Sequence, residues 1–599
     1  MCGIAGIFSF KQDAPPPSRE AMDVLCERMA ARGPDGRGIW ESGDGRLLFG
    51  HRRLAVIDPS PEAAQPMQSA DRRFTIVFNG EIYNHRALRA RLEYRGHRFR
   101  TRSDTEMLLA LFAEHGEACC AMLEGMYAFA VHDRAAGSLF LARDPYGIKP
   151  LYYTEEGGIF HFASQARALD EGVATDPAAL AGFALLGHVP EPQTVFAGVK
   201  ALDAGHFLWL RESRLEPPRR HSSLVAEFAR PQVRAPDLPA LYRSALRESV
   251  SRHLVSDVPV GIFLSGGVDS GAILGLARDC GARNLAAVTL AFAEFTGTSA
   301  DEAPAAKRLA EAYGADHRVR MISRAELEAD LPAILAAMDQ PTVDGINTWF
   351  AAKAAREMGL KVVLSGIGGD ELFGGYSTFR TVPSTLRMAR LGTAMPGLGV
   401  ALRGAGARLM PGFAQRNPKA LSVLELGGSW AGAYLLRRGL FMPHELPALL
   451  GCDMARGGLG RLDPLGLIAR AMPDGDVAPN LRVAALESGN YLRNQLLRDA
   501  DWAGMAHGVE IRTPLVDATL LHRLAPHLAV LAGPRGKAFL AEAPSQPVPP
   551  SILSRPKSGF GIPVASWLDE GATHPRLASR LWARRVLEHF TRDSRREAA

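Results

Sequence analysis

From Met1 to about Trp209, apolar positions come in short bursts broken by turn residues. RLLFGHRRLAVID (46–58) and RFTIVFNGEIYN (73–84) read as strands, each running into polar or turn residues. MYAFAVHDRAAGSLFLARD predicts a hairpin turning at Ala135-Ala136-Gly137, and KPLYYTEEGGIFHFAS predicts another at Gly157-Gly158. Helical segments such as DTEMLLALFAEHG lie between them, so mixed sheets with helices on their faces are expected.

From about Leu238 the pattern changes. The apolar runs VPVGIFL, LAAVTLAF, DHRVRMI and KVVLSG alternate with helical stretches, which predicts an α/β domain on a parallel sheet. Beyond about Tyr376 the pattern is mostly helical. RESRLEPPRRHSSLVAEFARPQVRAPD (211–237), rich in proline and charge, reads as a linker. Two domains are therefore expected, over residues 2–213 and 236–599, in keeping with a length of 599 residues.

Charge and cysteine content narrow the function. A net charge of +5 over this length gives no footprint for nucleic acid or an anionic membrane. The six cysteines, Cys2, Cys26, Cys119, Cys120, Cys280 and Cys452, form no CxxC pair or zinc-ligand cluster, and suggest free thiols in a reducing compartment. With no signal-peptide pattern and no apolar run of membrane-spanning length, a cytoplasmic protein is expected.

Two loops carry chemistry in the second half. In GIFLSGGVDSGAILGLA a buried strand ends at Leu264, and Ser265-Gly266-Gly267-Val268-Asp269-Ser270 turns into a helix. Backbone N–H groups there form an anion nest, the hydroxyls of Ser265 and Ser270 add donors, and Asp269 can hold Mg²⁺ beside a polyphosphate. The bland alternative is a glycine-rich turn without a ligand. The loop lacks GxxxxGK[ST] and instead resembles the PP-loop, SGGxDS, of ATP pyrophosphatases. LSGIGGDE (364–371) ends a later strand, and ligands of open α/β sheets sit at the carboxyl ends of strands. Ser365 and Gly366 are thus expected at the nucleotide, and Asp370 beside Asp269 on the metal.

The N-terminal half carries a candidate nucleophile. Removal of Met1 would leave Cys2 with a thiol and a free α-amine, whose pKa near 8 suits a base at neutral pH. The alternative is a small residue in a first strand. Polar residues at the ends of strand-like runs add a pocket. Arg53 can clamp a carboxylate, Asn79 and the Gly80 N–H can form an oxyanion hole, and Glu81 and Asp104 can bind an α-ammonium. Together they suit a free amino acid with a side-chain amide, glutamine.

The combination resembles the glutamine-hydrolysing asparagine synthetase family over nearly the whole length. CGIAGIF, RGPD, HRRLAVID, FNGEIYNH, SDTE and RDPYGIKPLYY are similar to class II, N-terminal-nucleophile glutamine amidotransferases. SDVPVGIFLSGGVDS, DQPTVDGINT, KVVLSGIGGDELFGGY and GVEIRTPLVD are similar to the synthetase domain. The resemblance implies a four-layer αββα domain packed on an α/β PP-loop domain. It implies Cys2 as nucleophile, glutamine held by Arg53, Asn79, Glu81 and Asp104, and an Asn79–Gly80 oxyanion hole. It also implies ATP near Leu264, Ser265, Leu290, Ser365 and Gly366, Mg²⁺ on Asp269 and Asp370, and a tunnel carrying ammonia to an acyl-adenylate. Glutamine, ATP and aspartate are the implied substrates, and a homodimer is a possible assembly. Lys557, in RPKSGFGIP, matches a functional lysine of β-lactam synthetases, and the alternative is a surface lysine. Asp501, Glu510, Arg512 and Asp517 are read either as shaping the acceptor site or as a structural ion-pair network. Two departures stand out. Ile367 replaces an acid that handles protons in amination, which opens the alternative of another carboxylate acceptor such as a sugar acid, a peptide or a secondary metabolite. Gln165 replaces a common Glu at a position expected towards the interdomain surface.

Overall fold

A computed structural model describes residues 2–170, 172, 174–283, 285–393, 397–555, 563, 567 and 575–596. Two antiparallel sheets stack in the N-terminal half. One runs in the order Lys200–Ala201, Tyr152–Glu156, Ile159–Ala163, Gly3–Ser9, Leu47–Arg53, Gly36–Glu41. The other runs Arg214–Leu215, His206–Arg211, Ser138–Arg143, Gly125–Asp133, Phe74–Ile82, Met67–Gln68. Both expected hairpins form at their expected turns. Alternation decides the layers: Ile4 and Phe8 join Val77 and Ala128 between the sheets, while Ala5 and Ile7 face outward with Met22 of helix Arg19–Arg28. On the far side, Ile76 and Phe78 pack against Met107 and Leu111 of helix Asp104–His115. The result is the expected helix–sheet–sheet–helix stack.

The C-terminal half is built on five parallel strands in the order Asp316–Ile322, Ala286–Phe292, Val260–Phe263, Val362–Leu364, Glu510–Arg512. Val362 and Leu364 enter the core under helix Val268–Asp279, whereas Val363 faces helix Ile346–Glu357. Burial on both faces explains the continuous apolar runs of Ala286–Phe292 and Val362–Leu364, whereas the edge strand Asp316–Ile322 is largely exposed. After Tyr376 the regular elements among the described residues are helices, apart from strand Glu510–Arg512. The segments Pro479–Leu486, Glu487–Leu497 and Arg498–Ala506 follow one another without a break, the middle one a π-helix.

The stretch read as a linker is more ordered than its composition suggests. Arg214–Leu215 and Arg219–Arg220 both pair with His206–Arg211 and so extend the N-terminal sheet. Leu224 and Phe228, on helix Leu224–Phe228, bury in the C-terminal core, and these two apolar residues are what the local charge density hides. No helix among the described residues is long and apolar enough to cross a membrane.

Candidate active sites

Cys2 lies buried just before strand Gly3–Ser9. Its N–H donates to Asn79 Oδ1 at 2.9 Å, and its carbonyl accepts from Arg32 Nε at 3.2 Å. Burial pushes its thiol pKa up, and the positive charge of Arg53 opposes that. Asn79 and Gly80 sit in strand Phe74–Ile82 opposite Ala128 and Tyr127. Asn79 Nδ2 is buried with no hydrogen-bond partner among the described residues. Gly80 has φ +155°, and a Cβ there would come within 2.1 Å of the Met126 carbonyl oxygen, so only glycine fits.

Three charged groups surround this point. Arg53 ends strand Leu47–Arg53, and its guanidinium is aimed by the carbonyls of Ser60 (2.8 Å) and Asp58 (2.5 Å). Asp104 opens its helix after the Ser103 cap and accepts from the Ile82 N–H at 3.1 Å. Glu81 is buried, and desolvation together with the negative charge of Glu510 pushes its carboxyl well above the ordinary range. Its Oε1 lies 3.6 Å from Arg512 Nη2, while Oε2 has no hydrogen-bond partner among the described residues. The site thus pairs an orphaned donor on Asn79 with an orphaned acceptor on Glu81, as a ligand with a carbonyl oxygen and an ammonium would need.

The second site is a cavity of about 540 Å³ at the carboxyl ends of the parallel strands. All the expected nucleotide residues line it: Leu264, Ser265, Gly266, Gly267, Asp269, Ser270, Leu290, Ser365 and Gly366. Ser265 Oγ and Ser270 Oγ are 2.9 Å apart, and Ser265 Oγ accepts from the Gly267 N–H at 3.2 Å. A Cβ on Gly366 would meet Asp269 Cβ and Ser270 N at 3.1 Å, so the two loops lie against each other. Gly368 has φ +97°, and a Cβ there would strike Val516 Cγ2 at 2.6 Å. Ile367 lines the same cavity, half-buried, with its N–H 3.5 Å from Ser365 Oγ.

Asp269 and Asp370 converge as expected, and on a cation. Lys537 Nζ lies 2.5 Å from Asp269 Oδ1 and 2.8 Å from Asp370 Oδ1. Two hard carboxylate oxygens aimed at one cationic point suit Mg²⁺. Among the described residues no cluster of three or more His, Cys, Asp or Glu could hold a metal, so a divalent ion here would draw its other ligands from phosphate and water. Lys557 lies outside the described residues. Arg555 does line the cavity, held by the carbonyls of Ser299 and Asp301 at 2.9 and 2.8 Å.

Asp501, Glu510, Arg512 and Asp517 are not among the residues that line this cavity. They form buried ion pairs. Asp501 takes a bidentate bond from Arg32 at 2.7 and 3.1 Å, with Lys149 Nζ at 3.6 Å. Glu510 pairs with Arg512 at 2.6 Å, and Asp517 pairs with Arg252 at 2.8 Å and caps helix Ala518–Leu524. The reason is geometric: Glu510–Arg512 is the edge strand that meets the N-terminal half. Gln165 does lie between the halves, in a small cavity of about 10 Å³ with Arg32, Asp501 and Trp502.

Several groups escaped the sequence reading. Asp344, Asn347, Tyr376, Tyr491 and Asp499 line the cavity beside Ile367. Tyr491 donates to Asp344 at 3.2 Å, and Arg438 lies over the rings of Tyr376 and Tyr491, 4.3 and 3.8 Å from their centroids, while paired with Glu487. For Lys537 the one available signal was indirect: two converging acids need a counter-cation.

An N-terminal-nucleophile pocket joined through buried charges to a PP-loop cavity defines a glutamine amidotransferase fused to an ATP-using synthetase. Residues 1–221 match the family model described as a glutamine amidotransferase domain, and residues 241–596 match that described as asparagine synthase. The chain belongs to the glutamine-hydrolysing asparagine synthetase family, as the motifs implied. It is 31% identical to asparagine synthetase 1 (glutamine-hydrolysing) of Bacillus subtilis strain 168, over 99% of this chain and 91% of that one. It is 36% identical to asparagine synthetase 3 of the same organism over 64% of each chain. To asparagine synthetase B of Escherichia coli strain K12 it is 32% identical, over 64% of this chain and 66% of that one.

Proposed function

We propose that this enzyme makes asparagine from aspartate, ATP and glutamine, with the nitrogen released at Cys2 and used in the PP-loop cavity. The observation that carries the reading is the single helix Arg498–Ala506 shared by the two sites. Its Asp501 binds Arg32, which holds the Cys2 carbonyl, and its Asp499 lines the synthetase cavity.

In this reading Met1 is removed and the Cys2 amine takes the thiol proton as the sulfur attacks the glutamine carboxamide. Asn79 Nδ2 and the Gly80 N–H stabilise the oxyanion, Arg53 holds the α-carboxylate, and Glu81 and Asp104 hold the α-ammonium. Free ammonia leaves, and a second water-derived step returns the thiol. The small cavity at Gln165 lies between the halves and has room for about one molecule of that size. In the second site the ionised side-chain carboxylate of aspartate attacks the α-phosphate of ATP and expels pyrophosphate. Ser265, Gly266, Gly267 and Ser270 cradle the phosphates, and Leu264, Leu290, Ser365 and Gly366 surround the nucleotide. Mg²⁺, when bound, would be held by Asp269 and Asp370 and would neutralise charge on the departing pyrophosphate. Lys557 is a candidate to steady the α-phosphate.

The test is transfer of amide ¹⁵N from glutamine into asparagine with one AMP per turn. Cys2→Ala should stop that transfer and leave synthesis from ammonium salts intact. No aspartate-dependent AMP in the wild type would sink the reading. Ile367 favours a second reading within the same chemistry, in which a different carboxylate is aminated. An acceptor screen scored by pyrophosphate release, repeated with Ile367→Glu, separates the two. A large gain in aspartate amination by the variant would favour the second.

A further inference from the structure

Amination needs a base. When the lone pair of ammonia forms a C–N bond to the acyl-adenylate carbonyl carbon, the new nitrogen carries one proton too many. That proton must leave before the C–O bond to AMP breaks with its electron pair, or ammonia is expelled instead. Ile367 cannot take it. The cavity offers acids elsewhere, and their placement distinguishes them. Asp370 and Asp269 are already engaged by Lys537 at the phosphate end. Asp499 lies on the helix whose Asp501, two residues on, meets Arg32 of the N-terminal half. Asp499 is therefore on a wall of the cavity built by the helix that also binds the N-terminal half.

We propose that Asp499 is the base that accepts this proton in the amination step. The inference rests on the asparagine-forming reading above. Asp499 is fixed on both oxygens: Oδ1 accepts from Trp502 Nε1 at 2.9 Å and Oδ2 from the Thr342 hydroxyl at 2.9 Å. A carboxylate oxygen has lone pairs for more than one donor, so each keeps capacity for an incoming N–H. Thr342 Oγ1 also lies 3.4 Å from the Asp344 N–H, and Asp344 is steadied by Tyr491 at 3.2 Å and Asn347 at 3.3 Å.

The electrostatics agree with the geometry. Burial, then the negative charge of Asp344, raise the Asp499 carboxyl to about 8, against lowering by the Trp502 and Thr342 bonds and the charge of Arg498. Asp344 is itself raised by burial, while the Tyr491 bond and the charge of Arg438 lower it. Arg438 is held in turn by Glu487. A base of that strength takes a proton from a protonated amine near neutral pH and returns it readily to solvent. Since the ionised form is the competent one, amination at fixed free ammonia should rise as pH passes through about 8 and then level.

The experiment compares Asp499→Asn and Asp499→Glu with wild type, supplying ammonium salt at constant free ammonia so that glutamine hydrolysis plays no part. Aspartate-dependent pyrophosphate release reports adenylation and the folded state of the cavity, and asparagine formed per pyrophosphate reports amination. Asp499→Asn should keep first-turnover pyrophosphate release within about twofold and, with the unaminated adenylate lost to water, cut asparagine per pyrophosphate by about 100-fold or more. It should also lose the rise near pH 8, and Asp499→Glu should recover most of the yield. Wild-type yield and pH profile in Asp499→Asn would overturn the proposal, as would equal losses of adenylation and amination in both variants. Failure of aspartate to release pyrophosphate from the wild type would instead overturn the acceptor reading and this proposal with it, and it shows before any variant is made.

Discussion

The bidentate pair between Arg32 and Asp501 makes a quantitative prediction about how the halves hold together. Its side chains are 2% and 4% exposed, and Lys149, 1% exposed, leans on the same carboxylate. Asp501→Asn keeps the shape, retains one acceptor, and leaves two buried cations without their shared counter-charge. Removing one partner of a buried pair costs about 3–5 kcal/mol, because the desolvation already incurred by the other is no longer offset. For cooperative units of about 150–250 residues that corresponds to a fall in Tm of roughly 6–20 °C. Calorimetry of the full chain is the assay, with Asp453→Asn as control. Asp453 is fully exposed and 4.0 Å from Arg456, so that change should leave Tm essentially unmoved. The pH dependence supplies a second check. Burial raises the Asp501 carboxyl, but Arg32 and Lys149 outweigh it and hold the group below its ordinary value. A depressed folded pKa gives stability that is present above the unfolded value, about 3.9, and is lost as pH falls through the folded one. The gap between wild type and Asp501→Asn should therefore be constant near neutrality and close below about pH 4. A shift under about 2 °C at pH 7, or a gap that persists in acid, would refute the reasoning.

Other expectations separate the two sites. Gly80→Ala places a Cβ 2.1 Å from the Met126 carbonyl oxygen and should lower glutamine hydrolysis by about 100-fold or more, leaving ammonia-dependent synthesis, when both are assayed on one preparation. Gly368→Ala, at φ +97° and against Val516, should do the reverse, abolishing pyrophosphate release while glutamine hydrolysis continues. Lys537→Met removes the cation between Asp269 and Asp370 and should slow pyrophosphate release at least about tenfold, read at saturating aspartate.

What was legible in the sequence was local. The hairpins over 125–143 and 152–163 show because alternation and turn residues lie within one short window, and the parallel strands show because burial on both faces leaves unbroken apolar runs. Motif residues such as Cys2, Asn79, Ser265 and Asp370 were readable because each sits in a short motif that one window contains. The partners that complete the sites were not. Arg32 and Asp501 are 469 residues apart, and Lys537 and Asp269 are 268 apart, so no window contains both members of either pair. The order within 211–237 was hidden for a related reason: average charge outweighed two apolar side chains whose partners lie elsewhere.

The helical run Pro479–Ala506 explains why distant charges, and not a loop, connect the two chemistries. Its π-helical part bonds i to i+5, so residues five apart share a face there. Tyr491 and Leu496 are spaced in that way, and both line the synthetase cavity. The opposite contacts go to the N-terminal half, where Asn494 Oδ1 accepts from the Glu191 N–H at 3.1 Å and Gln495 Oε1 meets His188 Nδ1 at 3.1 Å. Three residues beyond Leu496 the α-helical spacing resumes, and Asp499 joins the cavity face while Asp501 turns to Arg32. One rigid element thereby fixes the register of both sites. Deleting a residue from the π run would rotate Tyr491 by about 100° relative to Asp499. The wide turn is thus the feature that lets Asp344, through Tyr491, and Asp499 belong to one cavity while Asp501 remains bound to the half that carries Cys2.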